Sequence, residues 1–342
     1  MTRPVFSPIP CGFALVELLV STVIISLLLV VLVSMTGQTV SIWRNASAKV
    51  EQFSHARDAF ESLTRHLTQA TLNTYWDYYD SAGHSASDTN YNGTPSTYGR
   101  QSDLRFISQP GVQSSHELFF QAPFGYSNLP NGLESLLNTW GYYIAFDREQ
   151  GVPPFLVGLN VPARYRFRLM EYMEPSENLQ VYANPGTAAL PTWFPATLPS
   201  RATYSHVLAE NVIALILLPK LPPREDASGT QLAPTYAYDS TLDGPNGADS
   251  NYNTKNQLPP VVQVTMVAVE ETSFSRFQGT SSAMPALGLE SLFRNAGDLH
   301  NPINPGYARD LETLKTTLRA NKINYRIFTT DVVLRGAKWS RE

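Results

Sequence analysis

The sequence predicts an α+β protein in which one long N-terminal helix, apolar in its inner part and amphipathic in its outer part, packs on a mainly antiparallel β-sheet. Three observations carry this. From Phe13 to Met35 run 23 residues, 18 of them apolar, with Glu17 the one charge. No proline interrupts the chain from Cys11 to Thr94, and apolar residues continue beyond the run at helical spacing. From residue 103 onward, short segments rich in β-branched and aromatic residues follow one another too closely for helical crossovers.

The apolar run comes first. A helix of that length rises roughly 34 Å, slightly more than a hydrocarbon core of about 30 Å, so residues 13–35 read as a membrane span. The short leader MTRPVFSPIPCG at residues 1–12 precedes the run, with Gly12 at the junction. A secretory signal has the opposite order, an apolar core and then a cleavage site. Inside the span, a carboxylate costs on the order of 2.5–3.5 kcal/mol on insertion scales, so Glu17 calls for a partner or for a position within reach of the headgroups. Arg3 lies on one side of the run, Arg44 and Lys49 on the other, so the positive-inside count does not decide topology.

CGFALVELLVSTVIISLLLVVLV resembles the cleavage and methylation segment of type IV prepilins and pseudopilins. The resemblance implies a membrane peptidase that cuts after Gly12 and methylates the new terminus, Phe13. It implies that Glu17, fifth in the mature chain, neutralises the terminal amine of a neighbouring subunit during assembly. It also implies a single-pass protein of the inner membrane with its C-terminal domain extracytoplasmic. The partners expected are the prepilin peptidase, other pilin or pseudopilin subunits and the membrane.

Residues 36–76 continue the stalk. Val40, Trp43, Ala46, Val50, Phe53, Phe60, Leu63, Leu67 and Ala70 form one apolar stripe, and the whole helix is expected to reach about Tyr75, with Gly37 its weak point. The outer half of the stripe is expected to pack on the protein's own sheet, the inner half to face partner helices. His55 and His66 have no second ligand three or four residues away and read as solvated or edge residues.

Residues 77–342 form the β-rich domain. Two polar insertions, 77–102 and 224–257, read as loops. Strands are expected at DLRFIS (103), ELFFQA (117), WGYYIAF (140), RYRFRLMEYM (164), ENVIALILL (210), VVQVTMVAVEE (261) and NYRIFTTDVVLRGAKWS (324). Asp310 is expected to cap a short helix through Asn321, with Leu311, Leu314 and Leu318 on one face. The segments LAENVIALILLPKLP, LPPVVQVTMVAVEE and NYRIFTTDVVLRGAKWS resemble the prepilin-like family called Verru_Chthon cassette protein C. More distantly, HARDAFESLTRHLTQA followed by DLRFIS is similar to the J-type minor pseudopilin of type II secretion systems.

Composition narrows the function. A net charge of -4 without a basic stripe gives no reason to expect nucleic acid as a partner. The single cysteine, Cys11, precludes an intrachain disulfide. No HExxH, GxSxG or phosphate-loop motif occurs, and the six histidines do not cluster along the chain, so nothing asks for an enzyme. The run holding Asp239, Asp243 and Asp249 offers oxygen ligands and glycines for a calcium ion, but its spacing departs from the EF-hand, and a solvated loop explains the same composition. No other cofactor is expected. The resemblance implies a minor pilin or pseudopilin of a type II secretion or type IV pilus-like filament. The alternative is a membrane-anchored binding module that displays its β-rich domain to capture a substrate or surface.

Overall fold

A computed structural model describes residues 15–86, 88–111, 115–129, 136–148, 164–179, 201–226, 228–243, 253–297 and 306–339. Two units divide the chain, residues 1–52 and 53–342. Helix α1 (Leu15–Leu67) supplies the described part of the first and the opening of the second.

In the first unit α1 is apolar and exposed from Val16 to Trp43, long and apolar enough to cross a membrane, and helical through Gly37. Serine and threonine do not spoil that exterior. The hydroxyls of Ser21, Thr22, Ser26 and Thr36 each donate to the carbonyl three or four residues earlier, at 2.6–2.9 Å. Hydroxyls satisfied inside their own helix ask nothing of a hydrocarbon solvent.

All strand pairs described in the second unit are antiparallel. Six strands form one sheet in the order β7-β6-β5-β4-β3-β9, namely β3 (Ile107–Pro110), β4 (His116–Ala122), β5 (Asn138–Arg148), β6 (Tyr165–Glu174), β7 (Ser205–Glu210) and β9 (Tyr238–Asp239). Three form another, in the order β11-β10-β8, with β8 (Val212–Lys220), β10 (Val261–Val269) and β11 (Tyr325–Val333). Helix α2 (Glu271–Gln278) follows β10, and α3 (Gly306–Ala320) precedes β11. A separate hairpin pairs β1 (Tyr75–Tyr79) with β2 (Thr97–Gln101).

Alternation sorts the side chains of the six-stranded sheet. Leu118, Phe120, Tyr142 and Ile144 enter the main core, while Phe119, Tyr143 and Ala145 build a smaller cluster of their own. Into the main core α1 sends Phe60, Leu63 and Leu67 from the outer part of the predicted stripe, joined by Ala56 and Ala59, with the Phe60 ring 5.7 Å from that of Phe328 on β11. Burial of each large aliphatic side chain there is worth roughly 1.5–3 kcal/mol.

The helix ends at Leu67 rather than near Tyr75. Gln69 and Ala70 tighten into bonds to the carbonyls of His66 and Leu67, and Thr71 N then donates to the Gln121 carbonyl on β4 at 3.0 Å. Beyond it YWDYY, with aromatic side chains that favour a pleated surface, forms β1, so the insertion at 77–102 is a hairpin bracketing a loop rather than a loop alone. The insertion at 224–257 is likewise less polar in role than in composition. Leu232, Ala233 and Tyr236 are fully buried, and β9 adds an edge strand beside β3.

Three further boundaries shift for local reasons. The expected strand at 103 starts its ladder only at Ile107, because the amides of Arg105 and Phe106 donate instead to the side chains of Gln121 and Ser240. Asp310 sits inside α3, and its carboxylate caps no helix but accepts the Phe293 amide at 2.9 Å. The strand expected at 210 starts only at Val212, because Asn211 makes a break between it and β7, a strand not anticipated from the sequence.

That break joins the sheets. Asn211 has φ 59°, its amide donates to the Phe167 carbonyl on β6 at 2.8 Å, and its carbonyl accepts from Val269 on β10 at 2.9 Å. One residue is thereby hydrogen-bonded into both sheets. A left-handed conformation is tolerated by asparagine and glycine and is strained for a β-branched side chain. Asn211→Val is expected to cost about 2 kcal/mol and Asn211→Gly less than about 1 kcal/mol, read by urea denaturation of the detergent-solubilised chain; equal losses would show that the backbone conformation is not the cause.

The free edge of β8 is covered by side chains of β4 and the residue before it. Ser115 Oγ donates to the Leu215 carbonyl at 2.8 Å and accepts the Leu215 amide at 2.6 Å. The Leu217 amide donates to His116 Nδ1 at 2.9 Å, which leaves Nε2–H to donate to the Phe293 carbonyl at 3.1 Å. This arrangement needs a neutral imidazole, and burial holds His116 down at about 4.

Candidate functional site

Gly12, Phe13 and Asp249 lie outside the described residues. Glu17 lies within them, exposed in the first described turn of α1 and the one charged residue between Val16 and Trp43. Its backbone carbonyl accepts the Ser21 hydroxyl at 2.6 Å. A carboxylate on an otherwise apolar helix surface is a point at which a cation would be held strongly once water is excluded.

Of the residues offered for calcium, Asp239 ends β9, and its Oδ1 accepts both the amide and the hydroxyl of Thr241, at 2.9 and 2.8 Å. Asp243 is exposed. Among the described residues no three His, Cys, Asp or Glu side chains are placed to hold a metal ion.

The outer end of α1 is held by a cluster that sequence reasoning missed. Glu171, buried on β6, is its centre. Its Oε1 accepts the Trp140 indole N–H at 2.7 Å, the Tyr142 hydroxyl at 2.7 Å and His66 Nδ1 at 3.2 Å, while Oε2 accepts His206 Nε2 at 3.0 Å. His66 also lies 4.9 Å from the Phe124 ring and 5.2 Å from that of Trp140. So His66, expected to be a solvated or edge residue, is a half-buried clasp in the last turn of α1, whereas His55 is exposed as expected. The partners of Glu171 lie 29 to 105 residues away in the chain, beyond the reach of any spacing motif.

The electrostatics follow from the contacts. Burial alone pushes the Glu171 carboxyl up, but donors from His206, His66, Tyr142 and Trp140 outweigh it and hold the group well below the ordinary carboxylate range. Burial and the Glu171 charge raise the Tyr142 phenol in turn. A carboxylate whose oxygens already accept four donors has little capacity left to act as a base. Chemically the cluster is an anchor, tying the helix end to β5, β6 and β7.

Glu174, three residues along β6, is the opposite case. Burial raises its carboxyl to about 7, and Oε2 has no hydrogen-bond partner among the described residues. With a folded value above the unfolded one, its contribution to stability is fully present below about 4.5 and is lost as pH rises through about 7. Glu174→Gln is expected to gain about 2 kcal/mol over the native chain at pH 8, after allowance for partial solvation, and to gain little at pH 4.5. Denaturant titrations at the two pH values read this directly, and a gain that did not depend on pH would refute it.

Comparison of the chain with protein-family models, with curated proteins and with solved structures gave no match in any of the three.

Proposed function

We propose that the protein is a minor pilin- or pseudopilin-like subunit, anchored in the inner membrane by α1 with its β-rich domain outside. In this reading it is cleaved after Gly12 by a prepilin peptidase, methylated on Phe13, and assembled with other such subunits into a filament of type II secretion or type IV pilus type. The reading is structural rather than catalytic. The observation that carries it is the first unit's helix, an exposed apolar surface from Val16 to Trp43 with Glu17 as its one charge. Packing of that surface against like helices, with Glu17 facing a neighbour's terminal amine, would supply the assembly energy.

Mass spectrometry of the membrane-extracted protein tests the first step. A mature chain beginning at Phe13 with one added methyl is expected, and an intact Met1 start would sink processing. For the second step, Glu17→Ala should be cleaved normally but recover less of its partner subunits on co-purification. Unchanged recovery would remove Glu17 from assembly.

A second reading, an anchored module displaying its β-rich domain for capture, draws on the solvent-facing aromatic rings of the β1–β2 hairpin.

A further inference from the structure

The β1–β2 hairpin belongs to neither main sheet. Its register pairs Trp76 with Arg100 and Tyr78 with Tyr98, which puts these four side chains on one face. Trp76 is 66% exposed, Tyr98 67% and Tyr78 46%. The Tyr78 and Tyr98 rings stand 4.9 Å apart, and the Arg100 guanidinium lies over the Trp76 ring at 5.8 Å. With Tyr75, this hairpin holds four of the eight large apolar side chains exposed in the second unit among the described residues. Isolated exposed rings need no explanation, but their concentration on one small element does.

The platform is built to be rigid. Behind it the loop is organised on the buried Asp80, whose carboxylate accepts the amides of Ala82, His84 and Asn92 at 2.9–3.2 Å and faces His84 Nδ1 at 3.2 Å. Those donors hold Asp80 down at about 2. On the far face the Tyr79 ring fills the space left by Gly99. Rings held in place before binding lose little freedom on binding.

Chemistry selects the occupant. The face consists of tryptophan, tyrosines and an arginine, without an aliphatic side chain, so it offers flat ring surfaces edged with hydroxyl and guanidinium groups rather than a greasy patch. Between residues 75 and 103 four aspartates stand against one arginine, a balance that disfavours anionic lipid, nucleic acid and acidic polymers. What fits is an uncharged molecule with C–H faces to lay on the rings and hydroxyls at its rim, the description of a pyranose ring. Trp76 and Tyr78 are two residues apart on one strand, about 7 Å, so they can take neighbouring sugar rings of a chain. We propose that the Trp76–Tyr78–Tyr98 face is a binding platform for neutral polysaccharide. This goes beyond filament assembly and does not depend on processing at Gly12.

The test is affinity electrophoresis of the full chain in a non-glycosidic detergent, in native gels containing hydroxyethyl cellulose, xylan, glucomannan, laminarin or pullulan, with polygalacturonate as the anionic control. Retardation by at least one neutral polymer and not by polygalacturonate is expected. Trp76→Ala with Tyr98→Ala should weaken it at least about tenfold, equivalent to about 1.4 kcal/mol, whereas Tyr98→Phe should stay within about twofold. Circular dichroism checks that the variants fold, and Tyr98→Ala alone stands in if the double variant does not. Failure of every neutral polymer to retard the chain would overturn the proposal, as would retardation that survives loss of the rings. Hairpin-dependent self-association in sedimentation, without retardation, would assign the face to protein contact instead.

Discussion

Glu171→Ala is expected to cost the β-rich domain about 3–5 kcal/mol, because it leaves Trp140, Tyr142, His66 and His206 aiming donors at an emptied site. Glu171→Gln should cost less, about 1–2 kcal/mol, since the amide oxygen keeps some of these bonds while its NH₂ opposes one donor. The pH dependence sharpens the test. The carboxyl is depressed in the folded state, so its contribution is present above about 4.5 and is lost as pH falls below that. Native chain and Glu171→Gln should therefore converge in stability on acidification. A Glu171→Gln deficit that is the same at pH 7 and pH 3 would mean that the carboxylate's charge plays no part in the anchor.

Gly141→Val is expected to cost about 3 kcal/mol or more. Gly141 sits in the middle of β5 opposite Phe119, and an added Cβ would land on the Phe119 ring and 2.9 Å from the Leu118 carbonyl. Phe119 is fully buried in the smaller cluster and stands edge-on to Tyr172 at 5.9 Å, so its ring cannot move without disturbing a second one. A double-mutant cycle isolates the cause. Phe119→Ala and Gly141→Ala should each destabilise, and together should cost at least about 1 kcal/mol less than their sum. Additive losses would place the strain elsewhere.

Where packing is periodic, the sequence was a good guide. β-branched and aromatic content placed β4, β5, β6 and β10 within a few residues, and helical spacing picked Phe60, Leu63 and Leu67 as the buried stripe. It failed where a side chain takes over a backbone bond. Gln121 and Ser240 delay β3, and the left-handed Asn211 starts β8 two residues late and sets apart β7, whose mixed sequence SHVLAE carries no strand signal. β1 and β2 escaped notice because each is only five residues long and flanks a glycine- and serine-rich loop. The Glu171 cluster could not be read at all, because it is assembled from four elements and Glu171 was only one polar residue inside an expected strand.

The covered edge of β8 bears on how the protein fails. Neutral His116 accepts the Leu217 amide; the imidazolium formed as pH drops toward about 4 has no lone pair left to do so. Above about 6.5 its contribution to stability is intact, and it drains away through that interval. Protonation leaves the Leu217 amide unsatisfied in the middle of a buried nine-residue strand, VIALILLPK, while Nδ1–H can then donate to the Leu217 carbonyl 3.1 Å away. An apolar strand with open main-chain groups recruits other strands. Once acid unfolding frees it, this strand should seed intermolecular β-aggregation, and His116, together with Ser115, is what shields its edge in the folded state.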